Sequence, residues 1–144
     1  MTEKTISNPD LTSPEFLEAA FAEAKLAASR AYVPYSHFPV GAAVVTVLGD
    51  LIPGCNVENS SYPLCNCAER TAMFAAIAQG YAKEELKGIV LFTPTDSITT
   101  PCGACRQVMA ELLGPDGFVV MTCRNGSLTR ITSVKELLPD SFSL

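Results

Sequence analysis

The sequence predicts an α/β fold, a three-layer α/β/α sandwich around a mixed five-stranded sheet. Three observations lead to this prediction. An amphipathic segment opens the chain, two β-rich stretches follow around a Gly-Asp turn, and helical and short apolar segments then alternate. Helices that alternate with strands after an initial hairpin are typical of a sheet covered by helices on both faces.

The first helix is predicted to begin at Ser13-Pro14, a capping residue followed by a proline at the first helical position. Apolar residues recur at helical spacing from Phe16 to Ala27. Pro34 is expected to end the helix, because proline cannot continue the hydrogen-bond ladder.

A hairpin is predicted next. Residues near 40–48 and 51–57 are rich in strand-forming side chains, and Gly49-Asp50 lies between them. A glycine-containing pair between two such stretches is the usual signal of a tight turn.

Two helix-strand units follow, and the chain closes with one more strand and the short helix 134–138. Each helical segment ends in glycine, which suits a helix C-terminus, and each strand is a short apolar run of the kind buried in a sheet. In order, these segments are CAERTAMFAAIAQG, GIVLFT, CGACRQVMAELLG, FVVMTC and SLTRITSV.

The length and composition favour one domain over residues 1–144. A chain of 144 residues with 48% hydrophobic content can bury roughly 70% of its unfolded surface without disulfides. Residues 1–13 are polar and are expected to form a flexible tail. We find no repeat or linker that would divide the rest.

The charge pattern argues against nucleic-acid and membrane partners. Fifteen acidic residues against ten basic ones leave a net charge of −5, without a basic run or face. No apolar stretch is long enough to span a bilayer, and the polar N-terminus lacks the features of a secretory signal. We therefore expect a cytoplasmic protein whose six cysteines are ligands, catalytic groups or buried side chains rather than disulfides.

Three cysteines lie where predicted helices begin. Cys67 opens one helix, and Cys102 and Cys105 open the next in PCGACRQ. The unpaired N–H groups of a helix start favour a thiolate, and two helix starts can face each other in a sandwich. Three converging thiolates would suit a zinc ion that keeps one position open for water.

Cys65 leaves an alternative open. It lies two residues before Cys67, and a fourth thiolate would close the metal and make it structural. Glu69 favours the catalytic interpretation, because a carboxylate in the same first turn can act as a base beside the metal. A first-turn glutamate that only stabilises the helix dipole is the other interpretation of Glu69.

The pattern C-x-E followed by P-C-x-x-C is the signature of zinc-dependent deaminases. The sequence resembles the small, homotetrameric cytidine deaminases over about residues 30–142, and its first helix also fits them. The resemblance rests on the motifs PYSHFPVGAA, CNVENSSYPLCNCAERTA, PCGACRQV and ELLPDSF. It implies deamination of cytidine and deoxycytidine to uridine and deoxyuridine, with release of ammonia, in pyrimidine salvage.

The resemblance also implies the chemical groups at the metal. Zn²⁺ would be held by Cys67, Cys102 and Cys105, and Glu69 would move protons between water, ring N3 and the departing ammonia. Three thiolates on Zn²⁺ carry a net negative charge, which two arginines would offset by donating to the sulfurs. These arginines are Arg70 and Arg106, for which an ordinary ion pair or an oligomer contact is the alternative.

Six further residues resemble those that hold the nucleoside. Asn56 and Glu58 would bind the ribose 3′-hydroxyl, Phe38 would line the pyrimidine pocket, and the Ala68 N–H would donate to the base carbonyl O2. Tyr62 and Phe142 would reach the site from neighbouring subunits, with Phe142 stacking on the base. Phe38 could otherwise be an ordinary core residue, and CNVEN an ordinary turn.

Two alternatives to this function are open at the level of sequence. A structural four-cysteine zinc module that acts as a binding protein explains the cysteines but gives Glu69 no role. A deaminase of a related nucleoside keeps the chemistry and changes the substrate. His37, the one histidine, is expected in a loop rather than at the metal.

Overall fold

The computed structural model describes residues 9–144, which form one mixed sheet with helices on both faces. The helices and strands are α1 (Pro14–Ala28), β1 (Gly41–Thr46), β2 (Leu51–Cys55), α2 (Ala68–Ala78), β3 (Leu86–Phe92), α3 (Gly103–Leu112), β4 (Phe118–Thr122), β5 (Thr129–Ser133) and α4 (Val134–Leu137). Within residues 9–144, no helix is both long and apolar enough to cross a membrane.

The sheet has five strands in the order β2-β1-β3-β4-β5. Strands β3 and β4 are parallel, with Val90 opposite Val120, and the other neighbours are antiparallel. The predicted mixed five-stranded sheet is therefore confirmed. Because β2 and β3 are both antiparallel to β1, they run in the same direction, and the helix starts that follow them lie at the same end of the sheet.

The layers follow from the alternation of side chains along β1. Val44 packs into the large core cluster with α2 and α3, whereas Val45 faces the opposite way and packs with Ala20 of α1. All six residues of β1 are buried. The predicted three-layer α/β/α sandwich is confirmed, with α1 on one face and α2 and α3 on the other.

Two glycines let helices approach the sheet closely. A Cβ added to Gly41 would lie 1.7 Å from the Ala24 carbonyl oxygen, and one added to Gly54 would lie 2.3 Å from the Ala72 backbone nitrogen. Gly54 therefore brings α2 down onto β2, next to the helix start that carries Cys67.

Helix α1 is shorter than predicted. The Ser13 side chain caps it as expected, accepting from the Phe16 N–H, but the helix ends at Ala28 and does not run to Pro34. Tyr32 instead pairs with Val57 in an isolated parallel bridge, with backbone hydrogen bonds of 3.0 and 2.8 Å to Asn56 and Glu58. This long-range pairing overrides the helical pattern, and strand β2 correspondingly ends at Cys55.

The predicted flexible tail, residues 1–13, falls mostly outside the described residues. Within residues 9–13, the Thr12 N–H donates to Asp10 Oδ1 at 3.1 Å, and Leu11 packs against the core cluster under α1. The flexible tail stays a prediction.

Candidate active site

Three cysteine thiols meet where α2 and α3 begin. Cys67 is the N-cap residue of α2, Cys102 is the N-cap residue of α3, and Cys105 lies in the first turn of α3. The Sγ atoms of Cys67 and Cys102 are 3.9 Å apart, and all three sulfurs lie within 4.8 Å of one another. The two helix starts face each other, as predicted.

The local backbone leaves these thiols available. Cys67 and Cys102 have extended conformations, with ψ of 156° and 164°, and neither side chain caps its own helix. The sulfurs therefore point toward each other rather than back onto backbone N–H groups. The partial positive charge at both helix starts favours the thiolate form that a metal needs.

The cluster fits a zinc ion. Sulfurs around a tetrahedral zinc at about 2.3 Å lie about 3.8 Å from one another, close to the observed 3.9 Å. Soft thiolates in a tetrahedral arrangement select zinc over hard cations. The three cysteines thus fit Zn²⁺ with one position left for a further ligand.

The pKa values of Cys67 and Cys105 are shifted in opposite directions. The hydrogen bond from Cys105 and then that from Arg70 lower the pKa of Cys67 to about 5. The pKa of Cys105 is raised, chiefly by its hydrogen bond to Cys67 and by burial. One thiol thus loses its proton readily and makes the next proton harder to remove.

Cys65 does not belong to the ligand cluster of the described residues. Its thiol accepts from the Asn59 N–H at 3.3 Å and donates to the Asn59 carbonyl at 3.6 Å. Nothing here therefore favours the four-cysteine module. Of the other cysteines, Cys123 is buried and Cys55 is half-buried, and all six are free thiols.

Glu69 lies beside the cluster without joining it. Its side chain is only 6% exposed and lines a cleft next to Cys67 and Cys102. Burial raises the pKa of the Glu69 carboxyl above its usual range, and the negative charge of Cys67 adds to the rise. A buried carboxyl with a raised pKa suits a group that takes up and releases a proton during a reaction.

The two arginines have different partners. Arg70 donates from Nη2 to Cys67 Sγ at 3.5 Å, the contact predicted for it. Arg106 donates instead to the carbonyl oxygens of Pro101 and Leu137, at 2.7 and 2.9 Å. Within residues 9–144, Arg106 makes no hydrogen bond to a cysteine sulfur, contrary to the prediction. Its guanidinium reaches the loop before α3 and the end of α4 instead.

The cleft above the cysteines has a volume of about 420 Å³. It is lined by most of the residues predicted to hold a nucleoside, together with two predicted ligands and Glu69: Phe38, Asn56, Glu58, Cys67, Ala68, Glu69 and Cys102. The helix start and the loops before and after the first hairpin thus converge on one space.

Sequence reasoning missed part of this cleft. Thr93, Thr99 and Thr100 also line it, together with Val40 and Leu91. The signal that could have found the threonines is their place between a buried strand and the PCxxC motif, because loops at strand ends commonly form binding clefts.

Asn56 and Glu58 are already hydrogen-bonded to one loop. Asn56 Oδ1 accepts from the Val40 N–H at 2.8 Å, and Nδ2 donates to the Phe38 carbonyl at 2.8 Å. Glu58 Oε1 accepts from the N–H groups of Tyr35 and Ser36, both at 3.1 Å. The Ser36 hydroxyl bond, ahead of these backbone bonds, lowers the pKa of Glu58.

Tyr62 and Phe142 are not among the residues that line this cleft within one chain. They are 70% and 69% exposed. Tyr62 packs edge-on against Tyr35 with ring centroids 6.0 Å apart, and Phe142 lies beside Phe74 and the outer side of α3. His37 is exposed in a loop, as predicted.

A family model described as "Cytidine and deoxycytidylate deaminase zinc-binding region" matches residues 14–122. Cytidine deaminase of Sporosarcina psychrophila is 45% identical over 127 residues, which cover 88% of this chain and 91% of that protein. Cytidine deaminase of Halalkalibacterium halodurans is 48% identical over 121 residues, 84% of this chain and 89% of that protein.

Solved structures of cytidine deaminases have the same fold as this chain. The crystal structure of cytidine deaminase from Burkholderia pseudomallei superposes with a TM-score of 0.83 at 53% identity, covering 87% of this chain and 98% of that one. Cytidine deaminase from Mycobacterium tuberculosis superposes with a TM-score of 0.73 at 37% identity, covering 88% and 97%.

Proposed function

Because the chain belongs to the cytidine and deoxycytidylate deaminase family, a family of zinc-dependent enzymes that deaminate cytidine, we propose that it converts both cytidine and deoxycytidine to their uracil nucleosides with release of ammonia. One observation carries the proposal. Three thiols that fit zinc lie beside the buried Glu69 carboxyl at one cleft. A metal that keeps an open position next to a protonatable group is the arrangement that hydrolytic deamination needs.

The residues around the metal have distinct proposed tasks. Zinc, when bound by Cys67, Cys102 and Cys105, would supply Lewis-acid activation of a water molecule. Glu69 would take a proton from that water and deliver it to ring N3 of cytosine, then take the second proton from the hydroxyl added at C4 and pass it to the amino group that leaves as ammonia. Arg70 would draw negative charge from the Cys67 sulfur through its hydrogen bond.

The cleft residues would bind and orient the nucleoside. Phe38 offers an apolar ring to the pyrimidine, and the Ala68 N–H at the start of α2 would donate to the base carbonyl O2. Asn56 and Glu58 would bind the sugar 3′-hydroxyl with their remaining donor and acceptor positions. A cleft of about 420 Å³ is of the size class that holds small molecules.

We also propose a homotetramer in which neighbouring subunits complete each site. Large apolar side chains on the described surface support this, because a stable monomer rarely exposes several of them together. They are Tyr62, Leu64, Phe74, Ile77 and Phe142. Tyr62 and Phe142 would enter a neighbouring cleft, with Phe142 on the base. The roles in pyrimidine salvage and in the cytoplasm stay predictions.

Incubation of the purified, zinc-loaded protein with cytidine tests the proposal. We expect stoichiometric uridine and ammonia, loss of turnover after removal of zinc by a chelator, and recovery when zinc is returned. A protein that retains three-sulfur zinc but produces no uridine would contradict the proposed activity. Sedimentation as a fully active monomer at nanomolar concentration would contradict the shared sites.

A further inference from the structure

Asn56 and Glu58 hold the cleft loop, which we define as residues 35–40. The Asn56 amide makes one hydrogen bond on each side of Phe38: it donates to the Phe38 carbonyl and accepts from the Val40 N–H, both at 2.8 Å. The backbone adds a third bond, from the Asn56 N–H to the Val40 carbonyl at 3.3 Å. One asparagine thus brackets the residue that forms the aromatic wall of the cleft.

Glu58 holds the other end of the cleft loop through the Tyr35 and Ser36 N–H groups. Inside the loop, the Phe38 N–H donates to Ser36 Oγ at 3.1 Å. Between these contacts His37 has a φ of 55°, in the left-handed region that costs free energy for a residue other than glycine. The loop therefore depends on its hydrogen bonds to keep this conformation.

The Phe38 ring has limited packing of its own. Its side chain is 37% exposed and faces the cleft. A ring that is this exposed is fixed mainly by the backbone that carries it, because a fully buried side chain makes many more contacts. Loss of the Asn56 bonds would free the backbone on both sides of the ring.

The segment that carries Asn56 is itself anchored to the metal side. Val57 and Asn66 exchange two backbone hydrogen bonds, of 3.0 and 2.9 Å, and Asn66 directly precedes Cys67. The distance from the Phe38 wall to the zinc ligands is thus set through a short, continuous set of hydrogen bonds, those of the Asn56 side chain and of the backbone of Val57 and Asn66.

We propose that Asn56 is a positioning residue for Phe38, so that part of its contribution to nucleoside binding does not depend on the sugar 3′-hydroxyl. This rests on the proposed function and adds to it. An amide oxygen has two acceptor positions and an amide nitrogen two donors. Asn56 can therefore hold the cleft loop and still bind a sugar hydroxyl.

The test compares Asn56→Ala with wild type on two ligands. Cytidine has the 3′-hydroxyl, and 2′,3′-dideoxycytidine lacks it and can be followed as a substrate or as a competitive inhibitor of cytidine turnover. A residue that only binds the hydroxyl would matter for cytidine alone. We expect KM or Ki for dideoxycytidine to rise roughly 10-fold, as for a lost hydrogen bond that leaves a backbone group unpaired.

Further measurements separate positioning from general damage. The zinc content of Asn56→Ala should match wild type, because the cysteines are not touched, and its effect on cytidine should be larger in KM than in the turnover number. Asn56→Asp keeps the acceptor for the Val40 N–H and should recover part of the dideoxycytidine affinity. In a Phe38→Ala background the Asn56→Ala change should cost less than about threefold, since the ring that it positions is gone.

Asn125→Ala is the matched control. Asn125 also accepts from a backbone N–H, that of Ser127 at 3.0 Å, but it lies in the β4–β5 loop away from the cleft. This variant should bind both ligands as wild type does. A change of Asn56→Ala confined to cytidine, with dideoxycytidine binding within twofold of wild type, would overturn the proposal.

Amide hydrogen exchange gives a readout without turnover. The Val40 N–H should exchange at least about 10-fold faster in zinc-loaded Asn56→Ala than in wild type, because its acceptor is removed. Unchanged Val40 exchange would also overturn the proposal. A wild-type protein that fails to deaminate cytidine would instead refute the proposed function, while the exchange rates would still decide whether Asn56 holds the loop.

Discussion

The two ends of the cleft are built differently. The zinc end, Cys67, Glu69, Cys102 and Cys105, lies on the first turns of α2 and α3, next to fully buried residues such as Ala68 and Met73. The sugar end consists of loop and turn residues whose aromatic side chains are exposed. Its members within one chain are Phe38, Asn56 and Glu58, and in our proposal Tyr62 and Phe142 join it from neighbouring subunits.

This difference separates the chemistry from the binding. The groups that would hold the metal and move protons are positioned by the core of one chain, so their geometry needs no neighbour. The groups that would recognise the nucleoside depend on loop hydrogen bonds and, in our proposal, on other subunits. Changes at the zinc end should therefore affect turnover, and changes at the sugar end should mainly affect KM.

The largest expected effect is at Glu69. Glu69→Gln removes the proton acceptor but keeps the shape of a buried side chain outside the ligand cluster. Turnover should fall by at least about 10²- to 10⁴-fold, the usual contribution of a general acid/base. Zinc content and the unfolding midpoint measured in parallel should stay near wild type. Turnover within about tenfold of wild type would exclude Glu69 as the proton carrier.

The sugar end should respond in KM. A chain that ends at Asp140 lacks Phe142, and its KM for cytidine should rise roughly 10- to 100-fold if base stacking is worth about 1 to 3 kcal/mol. A chain that ends at Phe142 is the control, because it loses only Ser143 and Leu144. Equal KM values for the two chains would show that Phe142 does not contribute to nucleoside binding.

The two arginines should differ in whether they affect turnover or stability. Arg70→Ala loses the bond to Cys67 Sγ and should lower turnover about tenfold, as for other residues that contact metal ligands. Arg106→Ala leaves the carbonyls of Pro101 and Leu137 without their donor. It should lower the free energy of unfolding by about 1 to 3 kcal/mol and affect turnover less than Arg70→Ala does. Urea denaturation and steady-state kinetics of both variants measure this, and the reverse ranking in turnover would contradict the assignment.

Cys65 should give the smallest effect. Its thiol bonds to the Asn59 backbone, and a serine hydroxyl can make similar bonds. Cys65→Ser should keep one zinc per chain and turnover within about twofold of wild type. Loss of zinc from this variant would show that Cys65 is a metal ligand and contradict the three-cysteine site.

The zinc end could be predicted from the sequence because its geometry is local. C-x-E and PCxxC each fix their side chains relative to one helix start, and short apolar strands after each helix place the two starts together. The elements were predicted to within a few residues for the same reason, except where Tyr32 leaves the helical pattern to pair with Val57.

The sugar end was predicted only through a resemblance, and its contacts were not. Asn56 meets Val40 across 16 residues and Glu58 meets Tyr35 across 23, and these distances depend on how loops close. Thr99 and the Arg106 contact to Leu137 were missed for the same reason. A side-chain bond to a distant backbone leaves no periodicity or spacing in the sequence.

The most direct test of the central claim, that one chain builds an open zinc site from three cysteines, is X-ray absorption at the zinc edge of the purified protein. We expect one zinc per chain with three sulfur neighbours at about 2.3 Å and one lighter neighbour. The same spectrum from Cys65→Ser would support it. Four sulfur neighbours in the wild-type protein would close the metal to water and contradict the catalytic site described above.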